Sequence, residues 1–220
     1  MSEADFIITV FCEVEYIIKA MALPPLRTRG FKPRLSDSEV ITMEIVGEFL
    51  GQHEDKGIWR YFYTHWRTWF PKIPCRTTFV RQAANLWYVK QMIQAVLAQR
   101  LGAYDDNIHI VDGFPLPICA FRRAPNSQLF PGQAAYGHCA SKGQTYFGFH
   151  GLISIRLNGV ISGTTVTPAN VDERDALWEV IEHRAGLLLG DKGFIRPVLK
   201  QDLAKMGLDL QTPVRKNRHR

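Results

Sequence analysis

Over the first hundred residues, apolar side chains recur at helical spacing. Ile7, Val10, Phe11, Val14, Ile17, Ile18 and Met21 form one stripe, which predicts an amphipathic helix ended by Pro24-Pro25. A basic connection with Arg27, Arg29, Lys32 and Arg34 follows. Ser36-Asp-Ser-Glu39 then supplies a capping box ahead of Val40, Ile41, Ile45, Val46 and Phe49, and Gly51 stops that second helix. Trp59, Phe62, Tyr63, Trp66, Trp69 and Phe70 keep the helical period and read as core rather than as a base-stacking platform. Pro71 and Pro74 bracket a turn. Beyond it, Thr77 or Thr78 is expected to cap one long helix through Phe79, Leu86, Val89, Ile93, Val96 and Leu97 towards Gly102.

From Asn107 the pattern changes to that of strands. Residues 107–112 predict a strand closed by Asp112. Residues 146–156 and 160–167 flank Asn158-Gly159 and predict a hairpin. Asn170, with Glu173 three residues on, is expected to cap a helix through Leu177, Val180 and Ile181. The unbroken apolar run Leu187-Leu-Leu189 suits a strand covered on both faces. A helix over 195–206 and a short strand over 208–214 complete the order, which makes the second half an α/β domain, a mixed sheet flanked by helices. Residues 122–144, rich in Pro, Gly and Ser, read as one long connection and a mobile loop.

Composition narrows the choice of partner. With 27 Lys and Arg against 21 Asp and Glu, the net charge of +6 and a pI near 9.2 favour a polyanion over an acidic metabolite or another basic surface. Cys12, Cys75, Cys119 and Cys139 show no Cys-x-x-Cys pair, so a tetrahedral zinc site is excluded and reduced thiols are expected. The apolar stretch 6–21 carries Glu13, Glu15 and Lys19, which argues against export and against a membrane span. The expected location is the cytosol, in association with the nucleoid.

Candidate chemistry rests on two carboxylates. Asp112 and Asp191 each close an apolar run, and in the proposed sheet their strands would be neighbours with both acids at the same end. Carboxylates that close repel unless cations intervene. A pair of Mg²⁺ (or Mn²⁺) ions would relieve the repulsion and serve in-line displacement at phosphorus. The alternative is that each Asp merely caps a turn before a glycine. Arg76 and Arg81 at the start of a capped helix are compatible with a helix-turn-helix as well as with a plain bundle. Arg122, Arg123, Lys142 and Lys192, with Arg215, Lys216, Arg218 and Arg220 near the chain's end, could meet phosphates. His138 and His150 are assigned no role, and Glu173, Glu179 and Glu182 read as solvated helix residues.

Four blocks taken in order carry a resemblance: His109-Ile-Val-Asp112-Gly-Phe-Pro, Tyr146-Phe-Gly-Phe-His-Gly-Leu, Thr167-Pro-Ala-Asn-Val-Asp-Glu-Arg174 and Leu189-Gly-Asp191-Lys-Gly-Phe194. Together they resemble the insertion-sequence DDE transposases, most of all the insertion-sequence family numbered 982. The resemblance implies a helical DNA-binding region over 1–103 and a ribonuclease-H-like catalytic domain over 104–220. It further implies metal-dependent hydrolysis and strand transfer at terminal inverted repeats and into target DNA, carried out by a homo-oligomer on DNA, with no membrane partner. Asp112 and Asp191 match the first two acids of the family's triad. The third belongs on a long helix after the last strand. No residue of this sequence matches it, so the resemblance implies a C-terminally truncated member that is inactive alone. Two rivals remain. A non-catalytic protein could occupy transposon ends or inhibit an intact copy. A haloacid-dehalogenase-type phosphohydrolase also places an Asp after its first strand, but it wants a second Asp where Phe114 stands.

Overall fold

A computed structural model describes residues 1–24, 27, 30–105, 107–139, 143–181 and 185–214. The chain divides into two compact units, Met1–Leu97 and Ala98–Arg220. No helix among the described residues is long and apolar enough to cross a membrane.

The first unit is helical: α1 (Glu3–Met21), α2 (Asp37–Phe49), α3 (Asp55–His65), α4 (Arg76–Asn85) and α5 (Trp87–Arg100), the last crossing the boundary between units. The stripe of α1 buries Ile7, Val14 and Ile17. The predicted capping box of α2 forms as read: Ser36 Oγ accepts from the Glu39 amide at 3.1 Å while Glu39 accepts from the Ser36 amide at 2.6 Å. Such reciprocal caps contribute about 1 kcal/mol. Gly47 lets α2 and α3 approach, since a Cβ there would lie 2.7 Å from Ile58. Phe62, Phe79 and Leu86 fill the shared core.

Two expectations fail here. The long helix after Pro74 is two helices that break at Leu86, whose fully buried side chain holds a non-helical turn between α4 and α5. Its N-cap is Cys75 rather than a threonine. The Thr77 and Thr78 hydroxyls turn back to Cys75 Sγ at 3.4 and 3.2 Å.

The second unit is a mixed sheet: β1 (Ile108–Ala120), β2 (Ala135–Cys139), β3 (Gln144–Ile155), β4 (Ile161–Pro168), β5 (Gly186–Leu189) and β6 (Leu208–Gln211), with α6 (Glu173–Val180) and α7 (Pro197–Lys205). β1 and β3 are antiparallel, and β4 returns along the outer edge of β3 through the expected Asn158-Gly159 turn, where Gly159 has φ +81°. β5 and β6 then join β1 in parallel. The order is β2-β3-β1-β5-β6, with β4 sharing the outer edge of β3 with β2, and the path β4-β3-β1-β5-β6 within it is ribonuclease-H-like.

Because β4, β5 and β6 run the same way and step in one direction across the sheet, right-handed crossovers put α6 and α7 on one face. Accordingly Val111, Leu152, Leu188, Leu208 and Leu210 share one core with Leu177, Val180, Leu199 and Leu203. This overturns the expectation that the 187–189 strand is covered on both sides. Leu188 alone is fully buried, and Leu187 and Leu189 on the other face are only partly covered. Residues 122–144 are also more structured than a mobile loop. They contain a 3₁₀ turn, Phe121–Asn126, and strand β2, which pairs with β3 beyond the reach of β4. The Phe121, Tyr136 and Phe147 rings, at successive centroid spacings of 5.2 Å, hold this excursion to the sheet.

Candidate active site

Parallel pairing of β1 with β5 joins Ile108 to Leu187, His109 to Leu188 and Ile110 to Leu189. Asp112 and Asp191 each lie two positions past the last of these pairs. The register therefore brings two sequence-distant carboxylates to equivalent positions just past the C-terminal end of the parallel β1/β5 pairing, where open α/β sheets form clefts. Both are exposed. One detail differs from expectation: β1 does not stop at Asp112 but continues to Ala120, paired with β3. It is β5 that ends, and this frees the edge of β1 beside Asp112.

Each aspartate is oriented by the backbone that follows it. Asp112 Oδ1 accepts from the Gly113 amide at 3.0 Å. Asp191 caps a 3₁₀ turn, Lys192–Phe194, its Oδ1 accepting from the Gly193 amide at 2.7 Å. Turn capping and a chemical role are thus compatible, because each of these bonds uses one carboxylate oxygen of two. Phe194 is fully buried and anchors the turn.

Glu173 corrects the sequence reading. The cap of α6 is Asp172, not Asn170, because the chain turns at Asn170 and the helix starts later; Asp172 Oδ1 accepts from the Arg174 amide at 2.9 Å. The Arg174 guanidinium holds the Asp172 carboxyl below the usual carboxylate range. Glu173 is then the first helical residue. Its side chain, 30% exposed, lies 3.0 Å from His150 Nε2 on β3, in close contact rather than a directed hydrogen bond. Burial raises the nearby Tyr146 phenol, and Cys139 and Glu173 raise it further. Glu179 does face outwards, accepting from Thr165. Glu182 lies outside the described residues. No local pattern marks Glu173 or His150, since they meet only when α6 packs on β3.

Among the described residues, no group of three or more His, Cys, Asp or Glu side chains is close enough to hold a metal ion. Two carboxylates on a rigid strand edge nevertheless offer the hard oxygen donors that suit Mg²⁺, which commonly takes one or two carboxylates and completes its shell with water and substrate phosphates. The donor set therefore fits a divalent cation.

Arg122 and Arg123 on the 3₁₀ turn after β1 are exposed, as is Lys192 beside Asp191. In the helical unit, Arg76 and Arg81 are exposed on α4 and line a concave surface with Thr77, Val80, Asp55 and Lys56. Lys142, Arg215, Lys216, Arg218 and Arg220 lie outside the described residues. Cys75 stands at the head of the same helix. The hydroxyls of Thr77 and then Thr78, with the Thr78 amide, lower its thiol to about 7. Its alkylation by iodoacetamide, followed by peptide mass mapping, is expected to reach half its maximal rate near pH 7. A midpoint above pH 8 would contradict this geometry.

The family described as "Transposase DDE domain" matches residues 102–220. No curated protein matches the chain. Among solved structures, similarity is found to a piggyBac transposase synaptic complex with hairpin DNA, at 10% identity and TM-score 0.41, over 96% of this chain and 49% of that one. A Mos1 transposase paired-end complex with the left transposon end is similar at 10% identity and TM-score 0.28, over 89% of this chain and 65% of that one. The chain thus spans about half the length of the piggyBac chain.

Proposed function

The chain belongs to the transposase DDE domain family, and from that premise we propose that it is a DNA transposase of the insertion-sequence family 982 type, acting on transposon ends by metal-dependent phosphodiester hydrolysis and strand transfer. The observation that carries this reading is the β1/β5 register, which sets Asp112 and Asp191 at equivalent positions just past the end of the parallel pairing. Asp112 and Asp191 would hold Mg²⁺ or Mn²⁺, which when bound supplies a Lewis acid and an activated water or hydroxyl at phosphorus. The chain's own residues do the rest. The Gly113 and Gly193 amides fix the two carboxylates. Lys192 meets a backbone phosphate beside Asp191, and Arg122 and Arg123, past the far end of β1, meet phosphates further along the duplex, giving affinity without sequence readout.

Arg76 and Arg81 on α4 bind the DNA end. Replacing both by alanine is expected to weaken retention of a DNA duplex and to reduce the slope of log affinity against log salt by about 2, one per lost phosphate contact. An unchanged slope, measured by fluorescence anisotropy across a salt series, would remove α4 from the interface.

The functional test is nicking of a supercoiled plasmid in Mn²⁺, with EDTA as the control. Metal-dependent nicks support the assignment. Binding with no nick in any metal favours the second reading, a protein that occupies transposon ends or inhibits an intact transposase without cutting. Neither binding nor nicking would overturn both.

A further inference from the structure

The two glycines that follow the aspartates are there for space rather than for conformation. Neither Gly113 nor Gly193 has a positive φ, so any residue could adopt their backbone. A Cβ at Gly113, however, would lie 2.5 Å from His150 Nε2 and 2.9 Å from Glu173 Oε1. A Cβ at Gly193 would lie 2.8 Å from Asp191 Oδ1 and 3.2 Å from Glu173 Oε2. One oxygen of Glu173 therefore rests against the residue after Asp112. The other rests beside Asp191, at the turn that Asp191 caps. A single carboxylate, steadied by His150 on its β1 side, fills the gap between the two acid-bearing segments.

We infer that Glu173, held by His150, is a positioning residue that sets the spacing of Asp112 and Asp191 and thereby the affinity of the centre for a divalent cation. This rests on the reading of the two aspartates as cation ligands. Physically, Glu173 is a negatively charged, half-buried spacer at the first turn of α6, where the helix N-terminus favours an anion, and its placement depends on its packing against β3 and His150. Moving or neutralising it shifts the Asp191 turn relative to β1 and removes a nearby charge that stabilises a bound cation. Partners of this kind behind metal ligands affect affinity roughly 10- to 100-fold.

The test measures Mn²⁺ binding to the full chain by loss of the free-ion paramagnetic resonance signal, with thermal unfolding recorded in parallel. Glu173→Gln keeps the shape and packing of the side chain but not its charge. It is expected to weaken Mn²⁺ binding at least tenfold with little change in the unfolding midpoint. Gly113→Ala, whose Cβ would meet His150 Nε2 at 2.5 Å and Glu173 Oε1 at 2.9 Å and so displaces Glu173, is expected to do the same, and Glu179→Gln on the outer face of α6 to do nothing. Wild-type Mn²⁺ affinity in Glu173→Gln overturns the inference. Asp191→Asn separates its failure from that of the underlying reading. If Asp191→Asn abolishes binding while Glu173→Gln leaves it intact, only the positioning role falls. If Asp191→Asn also binds normally, or the unsubstituted chain binds no Mn²⁺, both fall.

Discussion

A chain carrying Asp112→Asn or Asp191→Asn is expected to lose metal-dependent plasmid nicking by a factor of ~10³ or more, about 4 kcal/mol of transition-state stabilisation. DNA retention in EDTA should stay unchanged. The change is conservative in shape, and the amide oxygen of asparagine can still accept from the Gly113 or Gly193 amide, so the local turns survive. What disappears is the anionic oxygen that a hard divalent cation requires. Both residues are exposed, so neither substitution opens a cavity and the unfolding midpoint should move little. The two substitutions should also be far from additive, because removing either ligand disables the same centre. Nicking at the wild-type rate by either variant, in a preparation whose unsubstituted chain cuts, would reject these residues as the catalytic pair.

The second large effect is on stability. Phe194→Ala is expected to cost ~3–5 kcal/mol, the range for truncating a fully buried aromatic side chain. Phe194 is wholly buried and shares the core of the sheet unit with Leu177, Leu188, Leu199 and Leu203. A Cβ at Gly190 would meet its ring at 2.9 Å, so the ring lies directly over the backbone that leaves β5. Without it, the turn that orients Asp191 loses its anchor, and stability and metal binding should fall together. Urea unfolding followed by circular dichroism measures the first, and a midpoint lowered by ~10 °C or more in a thermal scan would accompany it. A loss below about 1 kcal/mol would mean that the ring is not the keystone its burial indicates.

Much of the architecture was legible in residue order because it is local. The Ser36 capping box, the Asn158-Gly159 hairpin and the stripe on α1 each depend on neighbours within a few positions, and each formed as read. The places where the reading failed were those where tertiary packing decides between nearly equal local choices. Cys75 took the cap that Thr77 or Thr78 could have made, Leu86 broke a continuous helical pattern by being buried, and β2 condensed out of a Gly- and Pro-rich segment by pairing with β3.

By itself the sequence determined the types and order of the elements, the helical first half and sheet-bearing second half, and the two strand-associated carboxylates, since these follow from periodicity and short-range caps. Only the tertiary structure decided that Asp112 and Asp191 each follow a paired segment of adjacent parallel strands, that both crossover helices cover one face of the sheet, and that the half-buried Glu173 lies against His150 between the two acid-bearing segments. The physical reason is that strand register and helix docking are fixed by contacts between residues far apart along the chain, and such contacts leave no mark on the spacing of any one segment.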